Sequence, residues 1–154
     1  MSDVQEQNRE VLDAVRVRRD ALYDTVISLE RALAAPTSGR LDDWCAVLHN
    51  RVQNVRSVLQ THVQETESDG GFFDDVRERA PQLMRSAELL QAEHTPLLAA
   101  TDDLERSIGA AAEPADAVAV RAAGLDLIHR VLEHRHKGAE LVYDAYSVDI
   151  SAAD

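Results

Sequence analysis

The chain has 154 residues, 45% of them apolar and 4% aromatic, which suits one domain with a buried core rather than a disordered segment. Its 28 acidic side chains against 16 basic ones give a net charge of −12, so we expect neither a nucleic acid nor an anionic membrane as partner. No apolar run reaches the roughly 20 residues of a membrane span. The first residues lack the layout of a signal peptide, and Cys45 has no second cysteine to pair with. We therefore expect a cytoplasmic protein with a single domain over residues 1–154.

The first predicted helix runs over residues 4–35, where apolar residues recur at every third or fourth position. Pro36 and Gly39 follow it and end it. One position within its inward face is an arginine rather than an apolar residue. The inward face consists of Val11, Val15, Arg19 or Arg18, Leu22, Val26, Leu29 and Leu33.

The second predicted helix runs over residues 41–67 and ends before Gly70. A histidine, His62, lies near the end of its inward face, among Leu and Val side chains. The inward face consists of Leu41, Trp44, Leu48, Val52, Val55, Leu59, His62 and Thr66. After a short plug that carries Phe72 and Phe73, the chain reaches the third helix.

The third predicted helix runs over residues 81–108, with inward positions that alternate steps of four and three. These positions are Leu83, Ala87, Leu90, His94, Leu97, Thr101, Leu104 and Ile108. An imidazole within this face needs a partner, because burying an unpaired polar group costs about 1–3 kcal/mol. Pro96 has no amide hydrogen to donate, so the helix either kinks at His94 or restarts with Thr95 as its cap.

The fourth predicted helix runs over residues 115–146. Its predicted inward residues are Leu125, Ile128, Leu132, Ala139, Val142 or Tyr143, and Tyr146. His136 and Glu140 fall on one edge of this face. His49, on the second helix, and His134 are predicted to be solvated, whereas His129 fits either environment.

Four amphipathic helices with short connections predict an all-α fold, an antiparallel up-down-up-down four-helix bundle. The inward histidines of three helices are His62, His94 and His136, and Glu65 and Glu140 lie within one turn of two of them. Imidazoles and carboxylates on facing helices are the ligands with which bundle cores bind iron, manganese or zinc. The alternative is structural, with each core histidine bonded to a carboxylate or hydroxyl group.

Two stretches of the chain resemble the hemerythrin-like, His-His-Glu cation-binding domains. In residues 61–98 the similar features are His62 followed by acidic residues, the Ala80-Pro81 link, and Glu93-His94 before an apolar run. The second stretch is HRHKGAELVYDAYSVDI at residues 134–150. The resemblance implies a four-helix bundle around a non-haem di-iron centre, used in that family for oxygen binding, peroxide chemistry, or iron and redox sensing.

The family pattern is only partly present in this chain. Thr66 stands where a carboxylate is expected, Leu90 stands where a second histidine of the third helix is expected, and Arg19 lies near the missing histidine of the first helix. We therefore predict that no complete di-iron centre forms. Either a single metal ion binds in a reduced site or the fold persists without metal. If a metal binds at all, we expect one ion, with iron as the metal and dioxygen or peroxide as the ligand that the resemblance implies, held by His62, His94 and His136 with Glu140 or Glu65 as oxygen donor.

The second hypothesis is a metal-free binding or regulatory scaffold with no cofactor, whose partner is another protein or a second copy of the chain. In that case Arg19 is expected to pair with Glu65 or Glu140, because it would supply the positive charge that the ion otherwise brings. The sequence leaves open whether the chain is an enzyme.

Overall fold

The computed structural model describes the backbone of residues 2–151 and the side chains of residues 3–147. The ends of the predicted domain, residue 1 and residues 152–154, lie outside this part. All regular structure in it is helical, as predicted. The helices are α1 (Ser2–Ala34), α2 (Leu41–Glu67), α3 (Phe72–Arg79), α4 (Met84–Gln91), α5 (His94–Ala110) and α6 (Pro114–Ser151), with a 3-10 turn at Pro81–Leu83 before α4.

The third predicted helix is interrupted near its middle. α4 ends at Gln91 and α5 begins at His94, with Pro96 in the first turn of α5, where a missing amide hydrogen breaks no helical hydrogen bond. Glu93 precedes α5, and its carbonyl accepts the hydrogen bond from the amide of Leu97 at 3.1 Å. The chain therefore restarts a helix at this point, although Glu93 rather than Thr95 stands at the capping position.

The long helices form a bundle in which α1 packs against α2 and α6, and α5 packs against the same two helices. This arrangement encloses a main apolar core. Its members include Leu22, Val26, Leu29, Leu33, Trp44, Leu48, Val52, Val55, Leu59, Leu97, Leu104, Ile108, Val120, Leu127 and Val131. Within residues 2–151, none of the helices has a stretch that is both long and apolar enough to pass through a membrane.

A second apolar core lies where α3 and α4 pack against the last part of α6. Its buried members are Phe73, Val76, Ala80, Ala87, Leu90, Leu141, Ala145 and Tyr146. Along α6 the two cores are separated by nearly three turns, between Val131 and Leu141, and along α4 and α5 they are separated between Leu90 and Leu97. The positions in these gaps carry the polar residues of the candidate site.

Candidate metal centre

Three histidines from three helices meet between the two cores. His62 lies near the end of α2, His94 is the first residue of α5, and His134 lies on α6. The ring centroids are 5.2 Å apart for His62 and His94, 5.3 Å for His62 and His134, and 4.9 Å for His94 and His134. One ligand nitrogen from each ring lies within 4.8 Å of the others, so the three side chains are close enough together to hold a metal ion.

Two of the functional side chains lie at the junction of α4 and α5. His94 sits on the first turn of α5, next to Phe73 of the second core, with ring centroids 6.0 Å apart. Ala92 and Glu93 keep right-handed helical backbone angles, so adjacent side chains here point about 100° apart, as in a continuous helix. Glu93, just before His94, therefore reaches toward α6, and the junction supplies both an imidazole and a neighbouring carboxylate.

A chain of hydrogen bonds runs from the cluster to the surface. Nδ1 of His134 lies 2.8 Å from Oε2 of Glu93, and Nζ of Lys137 donates to Oε1 of Glu93 at 2.6 Å. A carboxylate only accepts, so His134 donates through Nδ1 and its Nε2 carries a free lone pair. That lone pair accepts from Nε2 of His62, 3.2 Å away. The tautomer of His134 is therefore fixed by Glu93, as in carboxylate–histidine–metal arrangements.

The environment keeps the imidazoles of His62 and His134 neutral. Burial, with the nearby His134 and His94 rings, lowers the pKa of His62 to about 3. Burial also lowers the pKa of His134, although the hydrogen bond to Glu93 opposes this effect. Burial raises the pKa of Glu93, but hydrogen bonds from Lys137 and His134 outweigh it and hold that pKa below its ordinary value. His62 and His134 are therefore neutral, the form in which imidazoles bind metal ions.

His94 is the least satisfied member of the cluster. Its side chain is 3% exposed, and neither ring nitrogen has a hydrogen-bond partner. Nδ1 lies 3.2 Å from Oε1 of Glu67, but the two groups lack the alignment of a hydrogen bond. A buried polar group without a partner costs about 1–3 kcal/mol. A bound metal ion would satisfy this imidazole.

The separation between His62 and His134 fits two ligands of one ion. Metal–imidazole bonds of about 2.0–2.1 Å place two ligand nitrogens about 2.9 Å apart at a right angle and about 3.4 Å apart at a tetrahedral angle. The observed distance between the two Nε2 atoms, 3.2 Å, lies between these values. Among the described side chains the group of three consists of imidazoles only. These residues fit the ligands of one ion.

The predicted ligand pair on α6 is not in the site. The side chain of His136 is 74% exposed and forms an ion-pair contact with Glu140, one turn away and also exposed, at 3.2 Å. His134, predicted to be solvated, is 2% exposed and takes the inward position instead. Helix residues that are two positions apart in the sequence point about 200° apart. Assigning the wrong face of the helix therefore exchanged His134 and His136. The predictions for His134 and for an inward His136 were wrong.

The buried face of α6 was hard to find because small residues occupy much of it. The face consists of Ala117, Val120, Gly124, Leu127, Val131, His134, Gly138, Leu141 and Ala145. Leu125, which was predicted to be inward, is 52% exposed, whereas Ile128 and Tyr146 are buried as predicted. Of the two alternatives Val142 and Tyr143, Tyr143 is 73% exposed and Val142 packs against the second core. The steps of three and four are regular along this face, so spacing rather than hydrophobicity was the signal that could have identified it.

Arginine side chains of α1 approach the cluster from the other side. Arg18, half exposed, forms an ion pair with the predicted ligand Glu65 at 2.9 Å. Arg19, which was expected to pair with a carboxylate, has a buried Nε without a hydrogen-bond partner. The predicted role of Arg19 thus falls to its neighbour Arg18, and Glu65 is occupied by that ion pair.

The cluster opens into a cavity of about 440 Å³. Its lining includes all three histidines, together with Arg19, Thr66 and Leu90. The hydroxyl of Thr66 donates to the carbonyl of His62 at 2.9 Å, and Leu90 belongs to the second core. The positions that depart from the hemerythrin-like pattern therefore line a space beside the imidazoles.

Comparisons with family models, with curated proteins and with solved structures found no match to this chain. The hemerythrin-like resemblance accordingly stays a prediction that depends on the residues quoted for it.

Proposed function

We propose that this chain is a hemerythrin-like, up-and-down helical bundle that binds a single transition-metal ion through His62, His94 and His134. The observation that carries the proposal is His94, a buried imidazole without a hydrogen-bond partner beside two other imidazoles. Iron is the metal that the family resemblance implies. Three neutral imidazoles also suit zinc or copper, so the identity of the ion is an outcome of the test.

The chain's own residues would prepare this site in three ways. Glu93 holds the ring of His134 and directs its Nε2 lone pair toward the other two rings, while Lys137 keeps Glu93 ionised. Burial keeps the imidazoles neutral, so that binding an ion displaces few protons. The cavity gives a small molecule access to the imidazoles. A bound iron ion would supply redox chemistry toward dioxygen or peroxide.

The decisive experiment is a metal titration of the full chain, purified without a His-tag and treated with a chelator. Ferrous iron is added under anaerobic conditions, with zinc and cobalt in parallel, and bound metal is measured by elemental analysis. We expect one equivalent per chain. His134→Leu should abolish binding, whereas His136→Leu, which removes an exposed histidine of the same helix, should leave it unchanged.

Three results would contradict the proposal. These are two equivalents of iron per chain, no metal bound by the wild type, or equal affinity in the wild type and the His134→Leu variant. Circular dichroism and thermal unfolding of each chelated variant establish that the fold is intact, so that loss of metal reports on the ligand.

A second candidate function is a metal-free binding module. The size of the cavity favours this candidate, because its 440 Å³ exceeds what an ion alone requires and lies in the range of about 300–1,000 Å³ that is typical of small-molecule sites. A wild type that binds no metal but binds an organic ligand would support this candidate.

A further inference from the structure

Arg19 is an unpaired cation inside an acidic protein. Its Nε is buried without a hydrogen-bond partner, and in the described part of the chain no carboxylate lies within ion-pair distance of it. The chain carries 28 acidic side chains against 16 basic ones, so acidic partners are abundant. A guanidinium that stays charged at all physiological pH values and lines a cavity without a counter-ion is available to an anionic ligand.

The other charged groups around the cavity already have partners. Glu65 pairs with Arg18 at 2.9 Å, and Asp75 accepts from the hydroxyl of Tyr146 at 3.2 Å. Arg135 donates to the backbone carbonyl of Arg19 at 3.3 Å and lies 3.7 Å from Asp20. Among the arginines of the described chain that line the cavity, Arg19 is therefore the one without an ion-pair partner, and its charge is left for a ligand.

The remaining walls of the cavity are mostly apolar and come from four helices. They include Val15 and Leu22 of α1, Phe73 of α3, Leu90 of α4, and Ala139 and Val142 of α6. A ligand that fills this space must bury hydrocarbon, and the hydrophobic effect stabilises such a complex. The combination of one cation with apolar walls is complementary to a molecule with one anionic end.

We propose that the cavity binds a small amphipathic monocarboxylate. Its carboxylate accepts hydrogen bonds from the guanidinium of Arg19, which matches the planar geometry of a carboxylate. Its hydrocarbon part packs against the apolar walls. This site goes beyond the proposed metal function and does not need the ion, because the guanidinium and the walls belong to the protein itself.

Octanoate is the probe for this proposal, because it joins one carboxylate to an unbranched apolar chain. The full chain is titrated with octanoate in a calorimeter in the presence of a chelator, with 1-octanol and octylamine as ligands of the same length. We expect octanoate to bind in the metal-free protein and both control ligands to bind at least about tenfold more weakly, since a charge-assisted hydrogen bond contributes at least that factor.

Two pairs of variants locate the ligand. Arg19→Gln should weaken octanoate binding at least about tenfold, whereas Arg16→Gln, an exposed arginine of the same helix, should leave it unchanged. Gly138→Leu should also prevent binding, because a side chain at this cavity-lining position projects into the space that the ligand needs. Gly138→Ala adds a single methyl group with no contact closer than 3.8 Å, and it should retain most of the affinity.

Three outcomes would overturn the proposal. The first is that octanol binds as tightly as octanoate, and the second is that the Arg19→Gln variant binds octanoate like the wild type while it keeps the wild-type circular dichroism spectrum. The third is that octanoate binds only after metal is added. The third outcome would assign the carboxylate to the metal ion instead of Arg19. The octanoate titration is made with a chelator present. A failure of octanoate to bind would therefore contradict this proposal without affecting the result of the metal titration.

Discussion

Oε2 of Glu93 lies 2.8 Å from Nδ1 of His134, although the two residues are 41 positions apart in the chain. This contact joins the start of α5 to the middle of α6. It orients the imidazole and determines which of its nitrogens faces the other two rings. Outer carboxylates of this kind raise the basicity of a ligand imidazole, so their loss weakens a metal site without removing a ligand.

Glu93→Gln should therefore lower metal affinity by about 10- to 100-fold while all three imidazoles remain. A competition titration against a chromophoric chelator measures this change. Glu88→Gln, an exposed carboxylate on α4, is the matched control and should bind like the wild type. Equal affinity in the Glu93→Gln variant would show that the carboxylate does not act on the metal through His134.

His94→Leu should have opposite effects on stability and metal binding. In the chelated protein it replaces a buried imidazole that lacks hydrogen bonds with an apolar side chain, so the free energy of unfolding should rise by about 1 kcal/mol. Metal binding should be lost. Chemical denaturation with and without metal measures both effects, and a clear loss of stability in the chelated variant would mean that His94 has a stabilising partner.

Acid should destabilise the chelated protein in a defined range. The pKa of His62 is about 3 in the native protein against an ordinary value of 6.5, so below pH 6.5 the unfolded chain binds a proton that the native chain does not. The stabilising effect of the neutral ring is complete above pH 6.5. Between pH 6.5 and pH 3 the free energy of unfolding falls by at most about 1.4 kcal/mol per pH unit for the proton of His62. The lowered pKa of His134 acts in the same direction.

Denaturation curves between pH 7 and pH 4 measure this dependence. His62→Leu should reduce the slope by about one proton, while His136→Leu should keep the wild-type slope. A stability that is independent of pH over this range would contradict burial of a neutral His62.

Two glycines of α6 should respond in opposite ways to alanine. Gly138→Ala should stabilise the protein by about 0.5–1 kcal/mol, since a glycine within a helix costs that much and the new methyl group meets nothing closer than Leu90 at 3.8 Å. Gly124→Ala should destabilise it, because the methyl group would lie 2.6 Å from Cδ1 of the buried Leu33, and overpacking costs about 1–3 kcal/mol. Thermal unfolding of both variants tests the close approach of α1 and α6, and stabilisation by Gly124→Ala would contradict it.

Periodicity predicted the helical segments well, because large apolar residues mark the inward faces of α1, α2 and α5. It also identified His62 and His94, which continue faces that carry Leu and Val. It failed on α6, where Gly124 and Gly138 lie on the buried face and give no hydrophobic signal, so His136 was chosen over His134. Glu93 lies one position before His94, about 100° around the helix from the inward face, so periodicity gave no sign that its carboxylate reaches His134.

The two short helices have a consequence for the motions of the protein. α3 and α4 have 8 residues each, well below the about 12–15 residues at which an isolated helix becomes marginally stable in water. Both short helices depend on packing in the second core to stay folded. α2 and α6 are much longer, with 27 and 38 residues. We expect backbone amides in Phe72–Arg79 and Met84–Gln91 to exchange hydrogen with solvent by local opening, ahead of those at the centre of the bundle. Local opening of α3 and α4 would move the cavity wall that carries Phe73 and Leu90 and admit a molecule from solvent. The helices that carry His62 and His134 would stay folded during this motion.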